Sequence, residues 1–418
     1  IYVGERIISA GNIETGRIAK WDGTNWSALG SGANNTVRAL AVNGENIIAA
    51  GGFTKVDDEN CNHIAVWSDS AWHPVFTIPL NTYYGIDGNV NAVHFAGNAL
   101  YVGGEFSQVG DIAANNIAKW DGNNWSTLGD GLDGNVNALA SKGNFIYAGG
   151  NFYTEMDSFS DYYGVAVWDG SKWSALGNQS FDYDVLALSV NGDNIYAGGH
   201  FTSLGNDTTI SHIAKWNGSS WSSLGNGMNE VVYSLATIGN TLYAGGMFTQ
   251  AGGDTNAKYI AAWNGKKWSH VGNGLNDEVS ALAANGNTLY AGGYFTVAGN
   301  DSSIHSIARW NGSNWSSVGG GVNGGVNAIT VNENDVYIGG YFDSAGGSVQ
   351  ANNIAVWDGV AWSALGSGLN DYVTSIAVSG TDVYFGGYFT TAGNKASHHF
   401  AHYGSFSAKY RTFKPTDG

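Results

Sequence analysis

The stretch Ile307–Val322, IARWNGSNWSSVGGGV, places Trp310 and Trp315 on either side of an Asn-Gly turn. Two tryptophans that close together either stack on a ligand or pack against protein. The rest of the chain decides between these. The phrase returns as IAKWDGTNWSALGSG from Ile18, IAKWDGNNWSTLGDG from Ile117, IAKWNGSSWSSLGNG from Ile213 and IAVWDGVAWSALGSG from Ile354. Worn copies begin at Ile64, Val165 and Ile260. The first Trp of each pair falls at 21, 67, 120, 168, 216, 263, 310 and 357, so the period is 46 to 53 residues. These pairs use all 16 tryptophans, and none remains for a unique site. A period of this length marks a repeat architecture. The recurrence favours packing between repeats over a ring of identical sugar pockets.

Within one repeat, residues 279–319, VSALAA alternates and NGNT turns. LYAGGYF follows, then the looser TVAGNDSSIHS, then IARW, the turn NGSN and WSSVG. This reads as four short strands, A to D, with Asn-Gly turns inside the A–B and C–D hairpins. No segment has a useful helical period. Repeated four-stranded units predict an all-β chain folded as a closed β-propeller. Strand B occurs nine times, from IYVGERI to VYFGGYF, and strand A eight times. Nine blades use every strand, and eight is the alternative. The whole of 1–410 is expected to be one propeller domain, with 411–418 as a tail or linker.

The Gly-Gly strand, the strand ending in an aromatic and Asp-Gly, and the Trp of strand D together resemble the kelch repeat. The fuller phrase LYAGGYFTVAG…IARWNGSNWSSVG is more similar to repeats of fungal cortical-marker proteins for cell polarity and of large bacterial surface proteins. The likeness spans nearly the whole chain and specifies the repeat far better than the function. It implies a cell-surface interaction module. Kelch-type propellers include copper oxidases with a Tyr-Cys cofactor, but Cys61, in DDENCNHIAVW, has no matching ligand set around it in the sequence.

Lys plus Arg number 17 against 34 Asp plus Glu, a net charge of −17. Such a surface repels nucleic acid and anionic membranes. Cys61 is the only cysteine, so an intrachain disulfide and a Cys-based zinc site are both excluded. No long apolar run or signal peptide is present, and direct membrane insertion is not expected. The chain opens inside a repeat, which suggests a piece of a longer polypeptide with other domains. Sequons are frequent, for instance at Asn25, Asn124 and Asn311.

In an up-and-down blade the A–B and C–D turns share one face. The variable B–C and D–A connections share the other, and variable loops on a regular scaffold are the usual place for binding. Three of them depart from the repeat: TIPLNTYYGIDGN, YTEMDSFSDYYG from Tyr153, and NQSFDYD. Together they carry Tyr83, Tyr84, Tyr153, Phe159, Asp161, Tyr162, Tyr163, Phe181 and Tyr183, with further carboxylates at Asp87, Glu155, Asp157, Asp182 and Asp184. They are expected to form one acidic aromatic patch for a protein or glycan on a cell surface. The alternative is that these rings fold over their own loops. His398, His399 and His402 form HHFAHY, where strand alternation sends neighbours to opposite faces. No nucleophile elbow, P-loop, HExxH or EF-hand occurs. The expectation is therefore an extracellular or cell-surface adhesion propeller without catalytic residues or cofactor. A propeller lectin is the alternative, and structural calcium is the one ion its Asp-rich loops would suit.

Overall fold

Tight polar turns and small residues set the blade. In a computed structural model of the chain, Val279–Asn285, Thr288–Gly293, Ile307–Trp310 and Trp315–Ser317 form one antiparallel sheet in chain order. Trp310 and Trp315 face each other across the C–D turn, in register. The structure describes residues 86–121, 124–153, 163–380, 382–393, 395–406 and 410–414, and, before them, 2–4, 9–10, 13–21, 24–34, 37–43, 46–51, 55–57, 59–60, 64–68 and 71–74.

The chain divides into two compact units, Ile1–Thr82 and Tyr83–Gly418. In the first, a three-stranded sheet (Tyr2–Gly4, Ile18–Trp21, Trp26–Ala28) precedes a four-stranded one that runs from Val37–Asn43 to Ala71–Pro74. Ile18, Leu29, Val37, Ala65 and Trp72 form its core.

The second unit is a ring of seven four-stranded blades, covering 89–127, 133–175, 185–223, 232–270, 279–317, 325–364 and 373–414. Each inner strand A packs on the next, and the strand A of blade 7, Val373–Ser379, packs on that of blade 1, Asn89–Ala96. The expected count of nine, or eight, blades is therefore wrong, because the first two repeats lie outside the ring in their own unit. The last repeat is also more complete than its sequence suggests. Tyr410–Lys414 pairs with Phe400–Phe406 as its strand D.

The Gly-Gly of strand B explains the closure. A Cβ on Gly245 would lie 2.5 Å from Val279 Cγ1 in the next blade, and one on Gly292 would lie 2.5 Å from Val326 Cγ1. At the seam the same knob fits the same hole: a Cβ on Gly386 would meet Val90 Cγ1 at 2.3 Å. Close approach of this kind is what glycine in a strand interior permits. The second glycine lies over a bulge. A Cβ on Gly293 would meet the Glu278 carbonyl at 2.0 Å, and the register slips between Val279 and Ala281.

The tryptophans complete the blade contacts. The indole Nε1 of Trp173, Trp268, Trp315 and Trp362 donates to the carbonyl of Leu128, Leu224, Val271 and Val318, each in the preceding blade. Within a pair the rings lie tilted, 5.4 Å apart for Trp310 and Trp315. Trp125 in blade 1 meets Phe400 of blade 7 edge-on at 5.4 Å. Trp310 and Trp315 are thus packing, each only 8% exposed.

Candidate functional site

The D–A connections hold the B–C loops by one repeated device. Asp87 Oδ1 accepts the N–H groups of Ser107 and Gln108, both at 2.8 Å. Asp182 does the same for Thr202 and Ser203, and Asn276 for Thr296 and Val297. Burial pushes the Asp182 carboxyl up, but the hydrogen bonds from Ser203 and Thr202 outweigh it and hold it below its ordinary value. Two aspartates of the expected patch, Asp87 and Asp182, thus tie loops. Asp207 and Asp301 are likewise committed to their own turns, accepting from Thr209 and Ser303.

Of the expected aromatic patch, Tyr83, Tyr84, Phe159, Asp161 and Tyr162 lie outside the described residues. Tyr153 ends strand B of blade 2 and Tyr163 begins its strand C. Phe181 is a core residue, 3% exposed, with ring contacts to Phe201 at 4.5 Å and Trp221 at 5.1 Å. It fills the place that Met228, Leu275 and Leu369 fill in other blades. Tyr183 is 67% exposed. It lines a cleft of about 330 Å³ between blades 2 and 3, with Asn151, Phe152, Asp182 and Asp184. Cys61 also lies outside the described residues.

The sequence reading missed the mouth of the ring. Three positions per blade surround it: the residue after Gly-Gly, the residue before strand A's first valine, and the bulged residue after that valine. Bulges re-aim a side chain out of the ladder. In blades 1 and 2 these positions are polar, with Glu105, Asn89, Asn91, Asn151, Asn135 and Asn137. Asn91 donates to Asn137 across the blades at 3.2 Å. From blade 3 onward most of these positions, and Tyr183 next to Asp184, turn aromatic and apolar. Tyr183, Met247, Tyr294, Tyr341, Tyr372 and Tyr388 are six of the eight large apolar side chains most exposed among the described residues. The other two, Phe145 and Val360, belong to the opposite end of their blades.

These side chains form an arc. Tyr183 meets His200 at 6.3 Å, and His200 meets Tyr233 at 6.5 Å, both edge-on. The Tyr233 hydroxyl donates to Met247 Sδ at 2.9 Å. Tyr294 reaches from blade 5 over Gly325 of blade 6, where a Cβ would meet its Cζ at 2.3 Å. Tyr341 and Tyr372 stack across blades 6 and 7, 4.5 Å apart at 16°. The glycine at 325 is what leaves room for the Tyr294 ring there.

The arc is acidic. The connections on this face carry Glu105, Asp133, Asp184, Glu230, Glu278, Asp343 and Asp371, and among the described residues of the ring their only lysines are Lys258 and Lys395. Burial, and then the neighbouring Asp277, push the Glu278 carboxyl above its ordinary value. Burial raises the Tyr233 and Tyr294 phenols, and the charge of Glu278 adds to both.

His212, His399 and His402 serve the scaffold. His399 takes a left-handed backbone, φ 60°, and its Nδ1 lies 3.1 Å from the Gly387 carbonyl. His212 repeats this against Gly199 in blade 3. His402 Nε2 pairs with Asp382 at 3.0 Å and stacks on Tyr384. Among the described residues no three His, Cys, Asp or Glu side chains gather as metal ligands.

No family model matches the chain, and no curated protein does. Solved structures similar to it include the computationally designed Ika8 protein, at 18% identity and TM-score 0.47 over 79% of this chain and 89% of that one. The WD40 β-propeller domain of Doa1 is similar at 14% identity and TM-score 0.47, over 73% of this chain and 92% of that one. The chain is a β-propeller. Its strand order and its seam, blade 7 on blade 1, make it one.

Proposed function

We propose that the chain is a non-catalytic interaction propeller that binds a protein partner across the aromatic arc at the mouth of its ring. The observation that carries this is the gathering of Tyr294, Tyr341, Tyr372, Tyr388 and Met247 on one rim. Their positions have no packing duty common to the blades, because other blades fill the place after Gly-Gly with Glu105, Asn151 or His200, and the place of Tyr372 with Asn89, Asn135 or Gly325. Exposed apolar patches ringed by polar groups mark interaction sites, and tyrosine is enriched at the centre of such contacts. The kelch-type and cortical-marker resemblance supports placing this module at a cell surface, in adhesion. The cleft beside Tyr183 supports a second reading as a sugar-binding propeller, since an exposed ring beside carboxylates suits hydroxyls.

The test is selection of a displayed random peptide library on the full chain, beside a glycan array, with Tyr294→Ser/Tyr341→Ser/Tyr388→Ser as the paired variant. Peptides recovered on the native chain and lost on a variant of equal melting temperature are the expected result. Enrichment that survives the triple change would place binding elsewhere. Glycan signals that disappear with Tyr183→Ser would favour the second reading.

A further inference from the structure

Glu278 sits at the centre of the arc, and nothing in the described structure neutralises it. It is half-buried at the head of the inner strand of blade 5, and its backbone carbonyl accepts the Tyr294 N–H at 3.2 Å. Tyr233 from blade 4 and Tyr294 from blade 5 flank it, their phenols raised first by burial and further by its charge. Ion pairs among the described residues include Lys142 with Asp193, His200 with Asp184, His270 with Asp254 and His402 with Asp382, and none of these involves Glu278. Lys258, on the neighbouring loop, is exposed and enters no such pair. Asp277 beside it adds charge of the same sign.

A half-buried carboxylate left without a cation is unfavourable in the free protein, so a ligand that supplies the cation gains by it. The walls narrow the choice. Phenol faces attract cations, and a planar guanidinium, more weakly hydrated than an ammonium, both stacks on a ring and bridges a carboxylate. Beyond Tyr294 the stacked Tyr341 and Tyr372 offer an apolar shelf for the chain that follows. We infer that Glu278, with Tyr233 and Tyr294, forms a receptor for an arginine side chain on an extended segment of the partner. This rests on the mouth being the binding site, and it names the chemistry recognised there.

The experiment uses the full chain and two capped Arg-Gly-Arg peptides, one with both arginines replaced by citrulline, which keeps the shape and removes the charge. Titration followed by NMR should show saturable binding of the arginine peptide, with the citrulline peptide weaker by about ten-fold, the scale of a charge-assisted hydrogen bond. Glu278→Gln should weaken the arginine peptide by a similar factor, and Tyr294→Leu should weaken it as well. Glu333→Gln removes the same charge from the opposite face and should change nothing. Equal weakening by the Glu278 and Glu333 variants would reduce the effect to net charge and overturn the inference. So would equal binding of the citrulline peptide, or loss of folding as the sole effect of Glu278→Gln. If the library yields tyrosine-dependent peptides without arginine, the mouth stands as the binding site and only its arginine chemistry falls.

Discussion

Thr374 Oγ1 donates to the backbone carbonyl of Val90 at 2.5 Å, although 284 positions separate them in the chain. The same hydroxyl reaches the Gly386 carbonyl at 3.1 Å. It therefore bridges blade 7 to blade 1 at the point where the ring closes. Thr374→Val keeps the shape and removes the donor. The expected cost is about 1–2 kcal/mol in chemical denaturation, the value of a partly buried hydrogen bond. A variant as stable as the parent would show that the Val–Gly knob closes the seam unaided.

Trp315 offers a second measurement. It is 8% exposed, and its Nε1 donates to the Val271 carbonyl at 3.1 Å. Trp315→Ala should destabilise by about 3–5 kcal/mol, as truncation of a buried aromatic does. Trp315→Phe retains much of the ring but not the donor, and should lose about 1–3 kcal/mol. Peptide binding at the mouth should persist in both while the protein is folded.

The Glu278 carboxyl gives a pH signature. Its folded pKa is raised above the ordinary 4.5, first by burial and then by Asp277. The folded protein thus holds the proton more tightly than the unfolded chain. Ionisation costs stability above the raised value, and the cost is absent below the ordinary one. Glu278→Gln should therefore melt at a higher temperature than the parent near neutral pH, and the gain should vanish as the pH falls below 4.5. A melting difference that is the same at both ends would refute the assignment. Stability forfeited at a binding site is a common trade.

The residue before strand C takes a left-handed backbone in most blades, as at Asn116 (φ 62°), Ser306 (φ 60°) and Asn353 (φ 66°). Asn353 uses the position fully. Its Nδ2 donates to the Leu369 carbonyl at 2.9 Å, and its Oδ1 accepts the Phe342 N–H at 3.3 Å. Asparagine also tolerates this conformation better than serine does. Ser306→Asn should reproduce both bonds, to Val322 and Phe295, and add about 1 kcal/mol in denaturant unfolding.

The seam contacts named for blades 7 and 1 all lie within residues 86–406, and Tyr83–Gly418 is a compact unit by itself. A chain of residues 83–418 should unfold in one cooperative transition with the same midpoint as the ring in the full protein. Calorimetry of the two chains checks this.

The blade was legible because its determinants are local. Asn-Gly turns, alternating strands and paired tryptophans each act within one period, and all were readable from residues 279–319. The blade count was not legible, because repeats 1 and 2 carry the same phrases as the rest while lying outside the ring. Which valine finds which glycine at the seam is a long-range fact. Phe181 misled for a related reason. An aromatic in a variable loop looked like a surface residue, yet it occupies the buried place of Met228 and Leu275. The mouth carried a signal that went unread. In GGEF, GGNF, GGHF, GGMF and GGYF the glycines and the phenylalanine stay while the residue between them changes. A position that varies inside an otherwise fixed phrase is released from the scaffold.

Each blade of the ring is built from one uninterrupted stretch of chain, and no strand is exchanged to lock the first blade to the last. The unit of heredity therefore coincides with the unit of architecture. A recombination that gains or loses one period of the coding sequence adds or removes an entire sheet with its turns, its tryptophan pair and its Gly-Gly hole intact. In the first unit the sheet from Val37–Asn43 to Ala71–Pro74 is such a module too, with its four strands in chain order. The same alphabet of modules thus serves both units of the chain.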